Sequence, residues 1–552
     1  MGAGREGRSS GGSRSRGDVG GGVRGGHAGL VQPKVPISFT APRKAAPKMA
    51  EPKTRSVYAV IHGFLGAEAR ANLGGGTPLE WAWSFQPING QGLERIRAHK
   101  YTPGVYSVCD SALNEPWNRM VELLPRWMAP NLVTLLGLMF AATPLGVVTF
   151  VAPNLDVPLS GWMCALCALG VLVYQTLDAL DGKQARRTGS SSPLGQLFDH
   201  GCDALSTTCL QVPTAACMMA GTRGVMPLLM IWVVQVPFFL AQWEEYHTGV
   251  LNIHTGGIGV TEAQFFLVFI HAVTGTLGGG VWASPSPVAV PDSLGAWPVA
   301  PFLRQVGLVP GEKVDWALVV AAFTMTGSLA LSACSVWRTL AHFWRTRNDP
   351  VDGARCAQPN PRDVELSRGA RMGFWSRVFL AALHLLPGFA MIFLGLHAAE
   401  PNADGTPGVF QRHTIAFLVT MGLMFTHMTN QIIIAGITAM HYRSFQKTAV
   451  ALGMFVAVKA LGGGGGVSLK LVGVLTEDMA FAVFAVFVAV AYGRYVRAVV
   501  LQIARHLGIH VFLIKSPGKD VGQSSVWPPN SVPAAGIAQK RRSTPLKRRT
   551  GI

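Results

Sequence analysis

Asp178-Ala179-Leu180-Asp181-Gly182-Lys183-Gln184-Ala185-Arg186, followed by Gly195, Asp199 and Asp203, is the stretch on which the reading of this chain turns. Its four aspartates lie between two long apolar runs. Asp178 and Asp181 stand at i and i+3 where one apolar helix ends, and Asp199 and Asp203 at i and i+4 where the next begins, so each pair shares a helix face. A tight connection then brings the two faces together. Ionised carboxylates gathered at the edge of a low-dielectric region repel one another, and a hard divalent cation such as Mg²⁺, Mn²⁺ or Ca²⁺ removes that conflict. Gly182 and Gly195 allow close backbone approach at either end of the connection. Lys183, Arg186 and Arg187 add positive charge, as a phosphate-bearing substrate bridging metal and cations would require. The stretch predicts a metal site at a membrane edge.

Outward from that stretch the chain reads as an all-α polytopic integral membrane protein. Apolar residues make up 49% and charged residues 14% of its 552, and in lipid a backbone without water must satisfy itself in helices or closed barrels. Runs of about twenty residues without strand alternation favour helices. They fall near 131–152, 158–178, 203–221, 224–242, 262–282, 315–341, 374–398, 413–437, 446–462 and 478–502, which makes about ten transmembrane helices. Before them, Trp117, Met120, Leu124 and Trp127 recur at three- and four-residue spacing, with Asn118, Arg119, Glu122 and Arg126 between, and predict a helix lying in the interface. The expected organisation is a disordered basic tail over 1–56, an N-terminal and interfacial segment over 57–130, a transmembrane catalytic domain over 131–503 and a cytosolic tail over 504–552.

The formal charge of +18 is concentrated at the ends: residues 1–57 hold eleven Lys and Arg against three acids, and residues 515–552 hold eight against one. Nucleic-acid binding would place basic residues on a folded surface with aromatics among them, whereas these ends are rich in Gly, Ser and Pro; no nucleic-acid partner is expected. Eight cysteines give no disulfide framework, and Cys164-x2-Cys167 lies in an apolar run without a second pair, which argues against zinc. The pentaglycine Gly462–Gly466 lacks the Lys-Ser/Thr of a phosphate loop and reads as a flexible connection.

The pattern D-x2-D-G-x2-A-R-x8-G-x3-D-x3-D resembles the signature of the CDP-alcohol phosphotransferases, and further stretches are similar to the eukaryotic choline and ethanolamine enzymes among them. These are His99-Lys100-Tyr101, Ala129-Pro130-Asn131-Leu132-Val133-Thr134, Trp243-Glu244-Glu245-Tyr246-His247-Thr248-Gly249 with Thr261-Glu262, the polar part of Met424–Gly436, and Arg505-His506-Leu507-Gly508-Ile509 with Phe512-Leu513-Ile514. The resemblance implies transfer of phosphocholine or phosphoethanolamine from a CDP-alcohol to diacylglycerol, with CMP leaving. It implies Mg²⁺ or Mn²⁺, two ions, held by Asp178, Asp181 and Asp199, with Asp203 close to the metal or acting as base. It places Gly182, Ala185 and Arg186 on the nucleotide side, Asn131 near the nucleotide, and Gly195 and Glu262 among the substrate-binding residues, and implies a homodimer in the endoplasmic reticulum or Golgi membrane.

His200, adjacent to Asp199, is of a residue type suited to taking the proton of the lipid hydroxyl, with a structural histidine as the alternative. Many relatives carry Glu where Gln196 stands, and Gln cannot serve as a base, which shifts weight to His200 and Asp203. Loop charge sets orientation: Lys183, Arg186, Arg187, Arg345, Arg347, Arg355, Arg362, Arg368, Arg371 and Arg443 fall on one side, against Arg223, Arg304, Lys313, Arg412 and Lys470 on the other. The richer side, with the aspartates, should face the cytosol. Two other readings stand beside this one: a phosphatidylinositol or phosphatidylglycerophosphate synthase, expected to be smaller, and a cation transporter, expected to show internal repeats.

Overall fold

The computed structural model describes residues 87–514 apart from 100–106, 253–256, 258, 299–307, 348–373, 403–404 and 463–475. The expectations for the two tails, for Lys100-Tyr101, for most of the pentaglycine and for Arg304, Arg355, Arg362, Arg368, Arg371 and Lys470 lie outside the described residues.

Two short N-terminal helices, α1 (Gly90–Ile96) and α2 (Val108–Leu123), precede the first span. Then come α3 (Pro130–Val151), α4 (Gly161–Thr188), α5 (Pro193–Cys217), α6 (Met226–Thr248) and α7 (Val260–Leu277). After a two-stranded antiparallel ribbon, β1 (Pro285–Ala289) with β2 (Lys313–Asp315), follow α8 (Trp316–Arg345), α9 (Phe374–Leu383) and α10 (Leu386–Ala399). The single turn α11 (Val409–Arg412) leads into α12 (Thr414–Ile437), α13 (Lys447–Gly462) and α14 (Glu477–Leu507).

All ten predicted apolar runs lie within helix for most of their length. Among the described residues, eight stretches are long and apolar enough to cross a membrane: α3, α4, α6, α7, α8, α9 with α10, α12 and α14. The other two fail that test for different reasons. α13 has 16 residues, too few for a membrane thickness at 1.5 Å per residue. α5 is long enough but carries Gln196, Asp199, His200 and Asp203, and it lies inside the bundle, with every residue from Ser206 to Cys217 buried. A polar helix tolerates a bilayer when other helices surround it.

Around α5 stand α3, α6 and α12, with α4 packed on α3 and α7. Close approach depends on small residues. A Cβ on Gly422 of α12 would stand 2.2 Å from the Thr208 hydroxyl of α5, so only glycine fits where these helices cross. α12 is itself the most enclosed of the candidate spans, 83% buried over its apolar window.

α2 is amphipathic, as expected of an interfacial helix. Trp117 and Val121 turn inward to Val133 and Leu180, while Met120 and Leu123 remain exposed, as does Trp127, which the helix ends too early to include. Its start is fixed by a capping box of Ser107 and Asp110, and its length by Lys183 of α4, whose Nζ donates to Asn114 (2.6 Å) and Asn118 (2.8 Å). Arg187 donates to the carbonyls of Val121 (2.7 Å) and Leu124 (2.8 Å), closing the C-terminal end.

Candidate metal centre and its surroundings

α4 ends on Gly189 in the left-handed conformation (φ 65°), and α5 begins at Ser192, whose Oγ accepts from the Gly195 amide (3.1 Å), with Pro193 in the first turn. Only Gly189, Ser190, Ser191 and Ser192 separate the two helices. The connection is as tight as the spacing of the aspartates predicts. It brings one carboxylate oxygen each of Asp178, Asp181 and Asp199 within 4.8 Å of the others. The Asp178 carboxyl lies in hydrogen-bonding reach of both Asp199 and Asp203, so all four aspartates belong to one cluster.

Physical chemistry decides what such a cluster needs. At that spacing each pair of ionised carboxylates repels by about 3–4 kcal/mol even at an effective dielectric of about 20. Asp181 is only 4% exposed, and Asp178 Oδ1 is buried with no hydrogen-bond partner. An acceptor left bare among other acceptors fits a bound cation and little else. Oxygen donors alone, without sulfur or imidazole, suit a hard divalent ion.

The sequence reading missed two residues that hold the acids in place. Thr134 of α3 donates its hydroxyl to Asp181, and Tyr174 of α4, fully buried, donates to Asp203. Each takes up one carboxylate oxygen and leaves the other for the centre. Thr134 lies within the Ala129–Thr134 stretch already singled out, but no spacing rule links Tyr174 to Asp203.

The remaining predicted residues divide. Asn131 is buried at the start of α3, with Nδ2 donating to the Val511 carbonyl (2.9 Å) and Oδ1 directed at Gly195, where an added Cβ would meet it at 3.7 Å. The segment after α14 thereby folds back on the centre; Phe512 meets Phe198 edge to face at 5.7 Å, and Met128 pairs with Leu513. Gly182 leaves room for the exposed Arg186, whose guanidinium lies along the helix within electrostatic reach of Asp181. Ala185 closes the helix end, its carbonyl accepting from Ser190 (3.0 Å). Glu262 gives both oxygens to backbone amides, Cys109 (2.8 Å) and Gly259 (2.7 Å), and so fastens α7 to α2. Of the three cations, Lys183 and Arg187 are engaged with α2, which leaves Arg186 as the one exposed toward solvent.

His200 is buried on α5 in a stripe with Gln196, Asp199 and Asp203, spaced i, i+3, i+4 and i+7. Gln196 Oε1 meets His99 Nε2 at 2.8 Å, and His99 lies within electrostatic reach of His200. Burial holds the His99 imidazole below its ordinary pKa, the bond to Gln196 opposing this in part, so His99 is neutral at pH 7.

In the Trp243–Gly249 stretch, Glu244 forms a bidentate pair with Arg338 of α8 (2.7 Å at both oxygens) and accepts from Asn252 (2.7 Å). Tyr246, His247, His384 and Tyr442 pack edge to face and stacked beside it. Two of these aromatics are thus core packing, with Tyr246 and Tyr442 each no more than 5% exposed.

Comparison with known proteins matches residues 127–282 to the family described as CDP-alcohol phosphatidyltransferase. Among curated relatives, "Cholinephosphotransferase 1" of Danio rerio is 26% identical over 435 residues, covering 78% of this chain and 97% of the relative. "Choline/ethanolaminephosphotransferase 2" of Arabidopsis thaliana is 35% identical over 255 residues, 46% of this chain and 62% of the relative. "Cholinephosphotransferase 1" of Mus musculus is 37% identical over 203 residues, 37% of this chain and half the relative's length.

Proposed function

We propose, from the match of residues 127–282 to the CDP-alcohol phosphatidyltransferase family, that the chain is a member of that family and transfers phosphocholine or phosphoethanolamine from a CDP-alcohol to diacylglycerol. The single observation that carries the proposal is the convergence of Asp178, Asp181 and Asp199 from two helices, with a bare buried oxygen on Asp178, inside a bundle of membrane-spanning helices.

Asp178, Asp181, Asp199 and Asp203 would hold divalent ions, Mg²⁺ or Mn²⁺, two in number. When bound, such ions neutralise a diphosphate and stabilise charge developing on its leaving oxygen. The chain's own residues supply the rest. Arg186 stands where a phosphate oxygen can be paired, and Gly182, Ala185 and Gly195 leave the backbone open to the nucleotide. Asn131, fixed by Val511, keeps the start of α3 against Gly195. His200 takes the proton of the acceptor hydroxyl, whose oxygen forms the new bond to the phosphorus bearing the choline or ethanolamine. The bond from that phosphorus to the bridging oxygen breaks, and CMP departs with the electron pair. Asp203, held by Tyr174, is the second candidate for the proton. Glu262 acts at one remove, by fastening α2 over the centre.

We assign the aspartate cluster to the cytosolic side of the endoplasmic reticulum or Golgi membrane, in a homodimer. Charge supports the orientation: on the opposite side Arg223 is paired with Asp315 (2.8 Å) and Arg412 with Glu477 (2.6 Å), whereas Arg186 and Arg345 are exposed. The test is phospholipid and CMP formation by the purified full chain given CDP-choline or CDP-ethanolamine, diacylglycerol and Mn²⁺. Wild type should release one CMP per phospholipid made and Asp199→Asn none; a wild type that makes neither product, or an Asp199→Asn at full rate, sinks the proposal.

A further inference from the structure

Beside the metal centre lies a second buried polar site that the chemistry above does not use. α12 runs antiparallel to α5, with Gly422 beside Thr208, the Thr426 hydroxyl donating to the Ala204 carbonyl (3.1 Å) and Asn430 beside Gly201. That register places His427 at the depth of Asp203. His427 is 7% exposed, and neither of its ring nitrogens has a hydrogen-bond partner. Asn430, 5% exposed, donates to the Tyr492 hydroxyl of α14 (3.3 Å) and leaves its own Oδ1 bare. Rings of Tyr492 and Tyr495 stand 6.1 and 4.8 Å from that of His427. Three buried polar atoms without partners on two neighbouring side chains are far from what a packed core tolerates, and they call for something to bond.

Position and charge narrow the choice. Tyr492 is half-buried and lies within electrostatic reach of Cys202 on α5, and Cys202 in turn within reach of all four aspartates. Asn430 itself stands against Gly201, between Asp199 and Asp203 on α5, where an added Cβ would meet its Oδ1 at 3.5 Å, so the group adjoins the aspartate cluster. Its members, His427, Asn430 and Tyr492, carry no fixed charge, offer both donors and acceptors, and are set among apolar residues of spanning helices. Such a lining suits an uncharged lipid bearing hydroxyl and ester groups and disfavours a charged phosphate headgroup, which would need a cation.

We propose that His427, Asn430 and Tyr492 receive the glycerol and ester neck of the neutral acceptor lipid and direct its free hydroxyl toward the aspartate centre. This assignment rests on the transferase reading above and adds to it the place of the second substrate. In the full chain reconstituted in mixed micelles with Mn²⁺, dioleoylglycerol is varied at saturating CDP-alcohol, and the reverse, for wild type, Asn430→Leu, His427→Phe and the milder Tyr492→Phe. Loss of one hydrogen bond should raise the apparent KM for diacylglycerol about three- to tenfold. The KM for the CDP-alcohol should stay within about twofold of wild type, because that substrate binds elsewhere. Wild-type turnover with an unmoved diacylglycerol KM in Tyr492→Phe and Asn430→Leu overturns the assignment alone. So does a lowered unfolding temperature with both constants unchanged, which would mark a packed or water-filled pocket. A wild type that makes no phospholipid overturns the transferase reading and this assignment with it.

Discussion

Asp178 and Asp203 show how differently placed carboxylates in one cluster can serve one centre. Asp178 has a bare oxygen, while Asp203 is held by Tyr174 and Asp181 by Thr134. Removing the Tyr174 hydroxyl should therefore loosen Asp203 without emptying the centre: Tyr174→Phe is expected to lower kcat/KM by about ten- to a hundredfold, the effect of a charge-assisted hydrogen bond worth about 1.5–3 kcal/mol. Asp178→Asn, which takes a charge from the centre itself, should cost far more. Steady-state kinetics on the two variants checks the order; equal losses would contradict it. For His200, a general base contributes about 10²–10⁴-fold. His200→Gln should lose that much in kcat while retaining CDP-alcohol binding measured by calorimetry; retention of full turnover would return the role to Asp203. The carboxylates were legible because their spacing maps onto helix faces. Tyr174 was not, because it meets its partner across two helices and a tyrosine in an apolar run looks like any other interface anchor.

At the scale of elements, hydropathy found the apolar runs but misjudged where helices begin and bend. The run near 203–221 marks only the apolar part of α5, whose first turns carry Gln196, Asp199 and His200 and form helix because Ser192 caps them and Pro193 starts them. The break between α9 and α10 at His384 and Leu385, just ahead of Pro387, is hidden in a continuous apolar run, since proline is tolerated in a first turn as readily as it ends one. Lys183 and Arg187 looked like phosphate ligands from sequence because charge near a metal site has two uses, and spacing does not separate them. The structure gives them to α2. Lys183→Met should accordingly lower the unfolding temperature by the loss of two charge-assisted hydrogen bonds, about 1–3 kcal/mol in all once solvent screening at this partly exposed site is discounted. Its KM for the CDP-alcohol should hardly move. A large rise in that KM with unchanged stability would restore Lys183 to the substrate. The post-span segment 509–514 was legible only as a resemblance; its return to Asn131 is a long-range contact that no local pattern encodes.

At the scale of the whole molecule, α5 carries its acids and His200 inside a bundle of spanning helices, with the proposed metal centre near one membrane face. α8 offers a direct check on orientation, because its 30 residues span about 45 Å and its two ends carry exposed side chains, Glu312 just before it and Arg345 at its end. In sealed vesicles with the cytosolic face outward, Arg345→Cys should react with a membrane-impermeant maleimide, and Glu312→Cys only after permeabilisation. The opposite pattern would place the aspartates in the lumen, away from the compartment assigned to them. Deeper than orientation lies the premise that aspartates of α4 and α5 grip a divalent ion together. Paramagnetic resonance of Mn²⁺ titrated into the purified chain, free of substrate, measures this directly: wild type should take up Mn²⁺ from the free-ion signal, and Asp178→Asn and Asp199→Asn should each lose that uptake, whereas uptake unaltered in both variants, or absent from wild type, would contradict the account.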